Sequence, residues 1–241
     1  MSSQFSPGRF EFLPLVVKNF IIINGLFFLA TMVMQSTYGI NLIAMLGLRF
    51  PAAGEFRIWQ PITHLFMHGS FNHILFNMFS FWMFGSVLEN VWGSKRFINF
   101  YIITGLGAAA LHYLLVYFID LRPLLDAVDL QLATATGREV EMLENYKAKI
   151  LNMPNIIGAS GAVAGIWIAF AYLFPNSTLY LFFALPVKAK YLAAVYVTVE
   201  LYQALQFDPK DNVAHFAHLG GMLFGFLMVK YVYNTDRRRF Y

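Results

Sequence analysis

Hydrophobic positions in this chain come in long runs separated by short polar stretches, with little of the regular alternation that marks a half-buried element of a soluble domain. Runs at 20–34 (with 13 the earliest start), 62–88, 97–119, 156–174, 191–205 and 213–233 predict six apolar helices. Crossing a bilayer takes about 20 mostly apolar residues in a helix, so runs of this length read as membrane spans. Two connections are long. Residues 35–61 mix Leu42, Ile43, Met45, Leu46 and Leu48 with Gly and Pro, which suits a segment lying in the membrane interface. In residues 121–155, Thr136 followed by Glu139 forms a capping-box pattern. Val140, Leu143, Lys147, Ile150 and Leu151 then share one face, predicting a short amphipathic helix that ends before Pro154.

The expected class is an all-α polytopic membrane protein, one domain over residues 1–241. Tails are expected at about 1–12 and 234–241, with an amphipathic insertion at about 121–155. Composition agrees: 59% of residues are hydrophobic, 18% aromatic and only 12% charged, against roughly 25% charged in soluble domains. The absence of cysteine excludes a disulfide framework, a zinc-thiolate site and a cysteine nucleophile. The polar, Pro-containing start and the lack of an A-x-A site predict that the first span is retained rather than cleaved as a signal peptide.

The net charge of +4 is distributed as a topology signal, and no nucleic-acid partner is expected. Arg9, Lys18, Lys95, Arg96, Lys188, Lys190, Lys230 and Arg237 to Arg239 fall on one side of a six-span map, against Glu11, Glu89 and Asp236. The other side is richer in acid. The positive-inside rule then puts both termini in the cytoplasm. A bacterial cytoplasmic membrane is the expected location.

All 6 histidines lie in or beside apolar runs, where polar groups are costly and tend to face the bundle interior. His112 stands alone and reads as structural. His64, His68, His73 and Asn77 form one group, with His73 and Asn77 one helical turn apart. His215 and His218 open the last run, and Gly221 and Gly225 continue the His218 face. The fourth run opens on Gly158-Ala-Ser160-Gly161, with Gly161, Gly165 and Ala169 making a small-residue stripe that admits another backbone. If the two stripes pack, Ser160 and His218 meet in the same leaflet.

Gly158-Ala-Ser160-Gly161, Ala217-His218-x-x-Gly221-x-x-x-Gly225 and His68-x-x-x-x-His73-x-x-x-Asn77 together resemble the signatures of rhomboid intramembrane serine proteases, over most of the chain. The resemblance implies a six-transmembrane-helix rhomboid-like bundle that cuts single-pass transmembrane proteins near the extracytoplasmic face. It makes Ser160 the nucleophile and His218 the general base. His73, Asn77 and the Ser160 backbone N–H would form the oxyanion hole. With no aspartate at a convincing position, a two-residue dyad is expected, and no metal or cofactor. The family's gating region would bring Phe76 and Glu200 to a substrate gate, with residues 206–212 as a lid. The first reading of Glu200 is a carboxyl hydrogen-bonded or neutral in the bundle interior, with the gate and a lipid-headgroup contact as the alternatives.

Two places depart from the family. Some relatives carry a tyrosine four residues after the serine, stacked on the histidine, where this chain has Ala164. Many carry Trp-Arg in the first loop, where this chain has Trp59-Gln60. Expected partners are transmembrane protein substrates and membrane lipid. The competing readings are a catalytically inactive rhomboid-like protein that binds membrane clients, and a histidine-based transporter.

Overall fold

In hydrocarbon a backbone has no water to bond, so each apolar run closes its own hydrogen bonds as a helix. The computed structural model describes residues 10–152, 155–181, 184–206 and 213–233. The first run is α1 (Leu15–Tyr38). Its free N-terminal amides are met from outside: Glu89 Oε1 accepts from Val16 N at 3.0 Å and Oε2 from Val17 N at 2.9 Å. Ser94 Oγ donates to the same carboxylate at 2.6 Å. A buried charge at the positive end of a helix dipole, with three donors, is compensated. It also ties the start of α1 to the junction of α4 (Phe71–Trp92) and α5 (Ser94–Val116), where Gly93 turns the chain at φ +78°.

The second run, expected as one span over 62–88, is broken. After α2 (Leu42–Leu46) and strand β1 (Leu48–Arg49) come α3 (Gln60–Thr63) and a 3₁₀ turn (His64–Phe66). Met67 is then extended, and α4 starts only at Phe71. The break has a local cause: Ser70 is a good N-cap and accepts from His73 N at 3.2 Å. The third run continues past its expected end. A π turn (Tyr117–Leu121) joins α5 to α6 (Arg122–Leu132), and α7 (Arg138–Asn152) folds back upon it. Leu121, Val128 and Ile150 form their shared core, and Lys147 meets Asp129 at 2.5 Å.

The fourth run starts late. Asn155–Ile156 form β2, antiparallel to β1, so α8 spans Ser160–Leu173. A short hairpin, β3 (Thr178–Leu181) with β4 (Leu185–Lys188), leads to α9 (Ala189–Gln206). The chain then forms α10 (His215–Leu227), extended by a π turn (Met228–Val232). By length and apolarity, the helices able to cross a membrane among the described residues are Leu15–Tyr38, Phe71–Trp92 and the continuous Ser94–Leu132. α8 is apolar but has 14 residues, roughly 21 Å at the rise of an α-helix, against a hydrocarbon core of about 30 Å. Ser160 therefore begins a helix that need not reach the bilayer surface.

α8 sits at the centre, packed by α10, α5 and α4, while α1 lies outside α4 and α9 outside α10. Glycine makes this possible. A Cβ on Gly225 would stand 2.7 Å from Gly165 Cα, and one on Gly165 would stand 2.8 Å from the Gly221 carbonyl oxygen. One on Gly221 would overlap the Gly161 carbonyl. Without a hydrophobic drive between helices in lipid, such backbone contact supplies the association through dispersion and weak Cα–H···O bonds. Gly25 of α1, by contrast, faces open space. Gly221→Ala is expected to lower the unfolding temperature in detergent by several degrees, the overpacking costing about 1–3 kcal/mol. Gly25→Ala in the same thermal scan is expected to leave it unchanged.

Candidate active site

The site begins in the first loop. Gln60 is buried and its side chain stitches that loop together. Its Oε1 accepts from Arg49 N at 3.2 Å and Arg57 N at 3.1 Å, and its Nε2 donates to Met45 O at 3.3 Å and Glu55 O at 3.1 Å. An amide can do both jobs, where a guanidinium only donates. Here the residue beside Trp59 therefore holds the loop without an arginine. His64 is buried next to it, with Nδ1 3.0 Å from Gln60 O, so that nitrogen carries the proton. Burial pushes the His64 imidazole down to about 4, keeping it neutral. The His64 carbonyl accepts from Gly158 N at 2.8 Å. With the β1–β2 pairing, this fixes the extended segment that delivers Ser160 to the start of α8.

Gly158 has φ +112° and lies against His73: a Cβ there would stand 2.8 Å from His73 Cε1 and Nε2, and 3.7 Å from Ser160 Oγ. Both the backbone conformation and the space call for glycine. His73 also meets His68 edge to face, their centroids 4.9 Å apart. Both ring nitrogens of His68 are buried with no protein partner among the described residues. One turn on from His73, Asn77 is buried on the same face of α4, its Nδ2 donating to His73 O at 2.9 Å.

Across from this group, the α8–α10 contact sets the register. A Cβ on Gly161 would stand 3.4 Å from Ala217 O, and Ser160 and His218 are the next residues along each helix. Ser160, His218, His73 and Asn77 all line one cavity of about 750 Å³. Ser70, Asn72, Ser80 and Asn155 add polar groups to its wall, and Phe76 and Tyr196 add rings. The cavity is large and polar enough to hold water.

The sequence singles out Glu200 but not its partners. Glu200, on α9, is buried and faces both histidines of α10. Its Oε2 is 2.7 Å from His215 Nδ1, and its Oε1 is 3.0 Å from His218 Nδ1. A buried carboxylate requires such partners. Its carboxylate thus takes an interior, bonded place, while Phe76 is 68% exposed. The oxygen and nitrogen atoms of Glu200, His215 and His218 able to hold a metal lie within 4.8 Å of one another, the carboxylate coming from a different helix than the two histidines.

The Rhomboid domain profile matches residues 55–235, most of the chain. The chain belongs to the rhomboid family. RHOMBOID-like protein 12, mitochondrial, of Arabidopsis thaliana is 26% identical over 165 residues, 68% of this chain and 44% of that protein. The rhomboid protease GlpG of Salmonella newport is 40% identical over 52 residues, 22% of this chain and 19% of GlpG. The matched stretches span less than half the length of these relatives.

In this rhomboid the residues singled out by motif come together, and those tied to exposed loops are less accounted for. The expected lid at 206–212 falls, beyond Gln206, outside the described residues. The sequence reading does not include the small residues of α5 as a packing face: a Cβ on Gly220 would stand 3.0 Å from Ala108 Cα, so α5 also backs α10 at close range. The signal was present as Gly105, Gly107, Ala108 and Ala109 clustered in one run. Gly158→Ala is expected to push His73 out of place at a backbone strain of about 1–2 kcal/mol. A thermal scan in detergent should show the unfolding temperature lowered by a few degrees.

Proposed function

We propose that this chain is an intramembrane serine endopeptidase acting on single-pass transmembrane proteins near their extracytoplasmic end. The observation that carries the reading is the convergence of Ser160, His218, His73 and Asn77 on one polar-walled cavity inside an apolar bundle. Ser160 Oγ attacks the scissile carbonyl carbon while His218 takes its proton, a serine hydroxyl being a poor nucleophile without such a base. The carbonyl oxygen becomes an oxyanion, received by His73, Asn77 and the backbone N–H of Ser160. The free amides of the first turn of α8 add the positive end of a helix dipole. Collapse of the tetrahedral intermediate breaks the C–N bond, and His218 returns the proton to the leaving amine. Water from the cavity, deprotonated by the same histidine, then hydrolyses the Ser160 ester and regenerates the hydroxyl.

Asn77 is already oriented for this task by its bond to the His73 carbonyl, which leaves its second amide hydrogen for the oxyanion. Access fits the packing. Among the described residues α4 and α9 are not packed together along their length, and Phe76 and Tyr196 reach the cavity from those two helices. A transmembrane substrate would enter between them, with Phe76 at the gate. Both termini would lie in the cytoplasm, as the distribution of basic residues implies.

Reconstitution in proteoliposomes with a model transmembrane substrate tests this. Wild type is expected to cleave. Ser160→Ala and His218→Ala should each fall by about 10³-fold or more. Asn77→Ala should lose about 10²-fold, because other donors remain. Cleavage by wild type that survives both dyad substitutions would reject the assignment.

A further inference from the structure

The proposed hydrolysis gives Glu200 no task, yet its surroundings define one. α9 carries its side chain into the interior, where it is 6% exposed. His218 Nδ1 is fully buried, and its hydrogen-bonding capacity is met by nothing else among the described residues. The Glu200 carboxylate lies 3.0 Å away, within ion-pair reach but off the axis of a well-formed N–H···O bond. Catalytic hydrogen bonds in unliganded enzymes are often this loose and tighten with substrate. A carboxylate only accepts, so the neighbour it favours is an Nδ1–H. That tautomer leaves Nε2 as the basic nitrogen of His218. His215 Nδ1, at 2.7 Å from the other oxygen, holds the carboxylate in position. From α8, the residue one turn after Ser160 is Ala164, whose methyl gives the imidazole no ring to lean on.

We propose that Glu200 is a positioning residue for this site, fixing the tautomer and ring orientation of His218 and stabilising the imidazolium formed as His218 takes the Ser160 proton. The unit is then a serine–histidine–glutamate chain whose third member comes from α9, with His215 as its support. The inference rests on the reading of Ser160 and His218 as nucleophile and base. A carboxylate behind a catalytic histidine does not itself take the proton. It keeps the correct nitrogen bare and meets the positive charge that develops. The coupling has a mechanical consequence as well: displacement of α9 would release the histidine, so the helix beside the substrate path also sets the base.

The test uses the full chain in proteoliposomes, comparing wild type, Glu200→Gln, Glu200→Asp and Ser160→Ala on one transmembrane substrate. Glutamine keeps the shape and removes the charge. Glu200→Gln is expected to lower kcat by about 10²- to 10⁴-fold, the upper end being the loss seen when a triad histidine loses its carboxylate. KM should stay within about twofold, the pattern of an interaction made in the transition state. Glu200→Asp should recover part of the rate. Should Glu200→Gln fail to fold, nitrogen NMR of wild type labelled at histidine decides: Nδ1–H on neutral His218 supports the proposal, and Nε2–H overturns it. Activity of Glu200→Gln within about threefold of wild type, with Ser160→Ala inactive, would overturn the role of Glu200 alone. An inert wild type would overturn the dyad and this inference with it. Cleavage abolished by a chelator and restored by zinc would show that Glu200, His215 and His218 hold a metal instead, and would also overturn it.

Discussion

The backbone contact between α8 and α10 is the constraint on which the rest of the structure depends. Gly161 and Gly165 on one helix meet Gly221 and Gly225 on the other so closely that a methyl on Gly165, Gly221 or Gly225 would strike main chain across the contact. In lipid the solvent is as apolar as the side chains, so helices gain by contact rather than by escaping water. The contact also fixes register, because backbone against backbone leaves no flexible side chain to absorb a slip. Ser160 and His218 lie one residue from the contact points, so the geometry of the pocket follows from the packing.

Buried charge is handled in this fold by the same device at two sites. Glu89 is met by two helix amides and a hydroxyl, and Glu200 by two imidazoles. Removing one partner from such a carboxylate leaves an uncompensated ion in a medium that solvates it poorly, which makes each cluster specific as well as costly. Glu89 fastens the start of α1 to the α4–α5 junction. Glu200 fastens α9 to α10 at the level of the cavity. One carboxylate organises a helix end and the other holds two histidines, one of which lines the cavity.

The first loop and the insertion form a further layer that serves the site without lining its reactive centre. Gln60, His64 and the β1–β2 pair hold the approach to Ser160 in an extended path. Arg49 reaches from this loop to the Asn152 carbonyl at 2.7 Å, and Phe50 stacks on Tyr117. The loop is thereby braced against the end of α7 and the π turn that follows α5. Such a scaffold is needed because Gly158 must hold a left-handed conformation beside His73, and only a segment tied at both ends keeps it there.

The sequence by itself determined the helical membrane character, the two glycine stripes and the four residues that meet at the cavity. Apolar run length and three- and four-residue spacing are properties of one helix at a time, and they are written in the order of residues. Helix starts were less legible. The break at 67–70 and the late start of α8 depend on a serine cap and on pairing with a distant strand, which no run of hydropathy records. Only the tertiary structure decided that Gln60 does the work of a loop anchor and that Glu200, 18 residues before His218 and on another helix, faces its ring. The reason is physical: a buried carboxylate is placed by the partners that neutralise it, and those partners become neighbours only after the helices have packed.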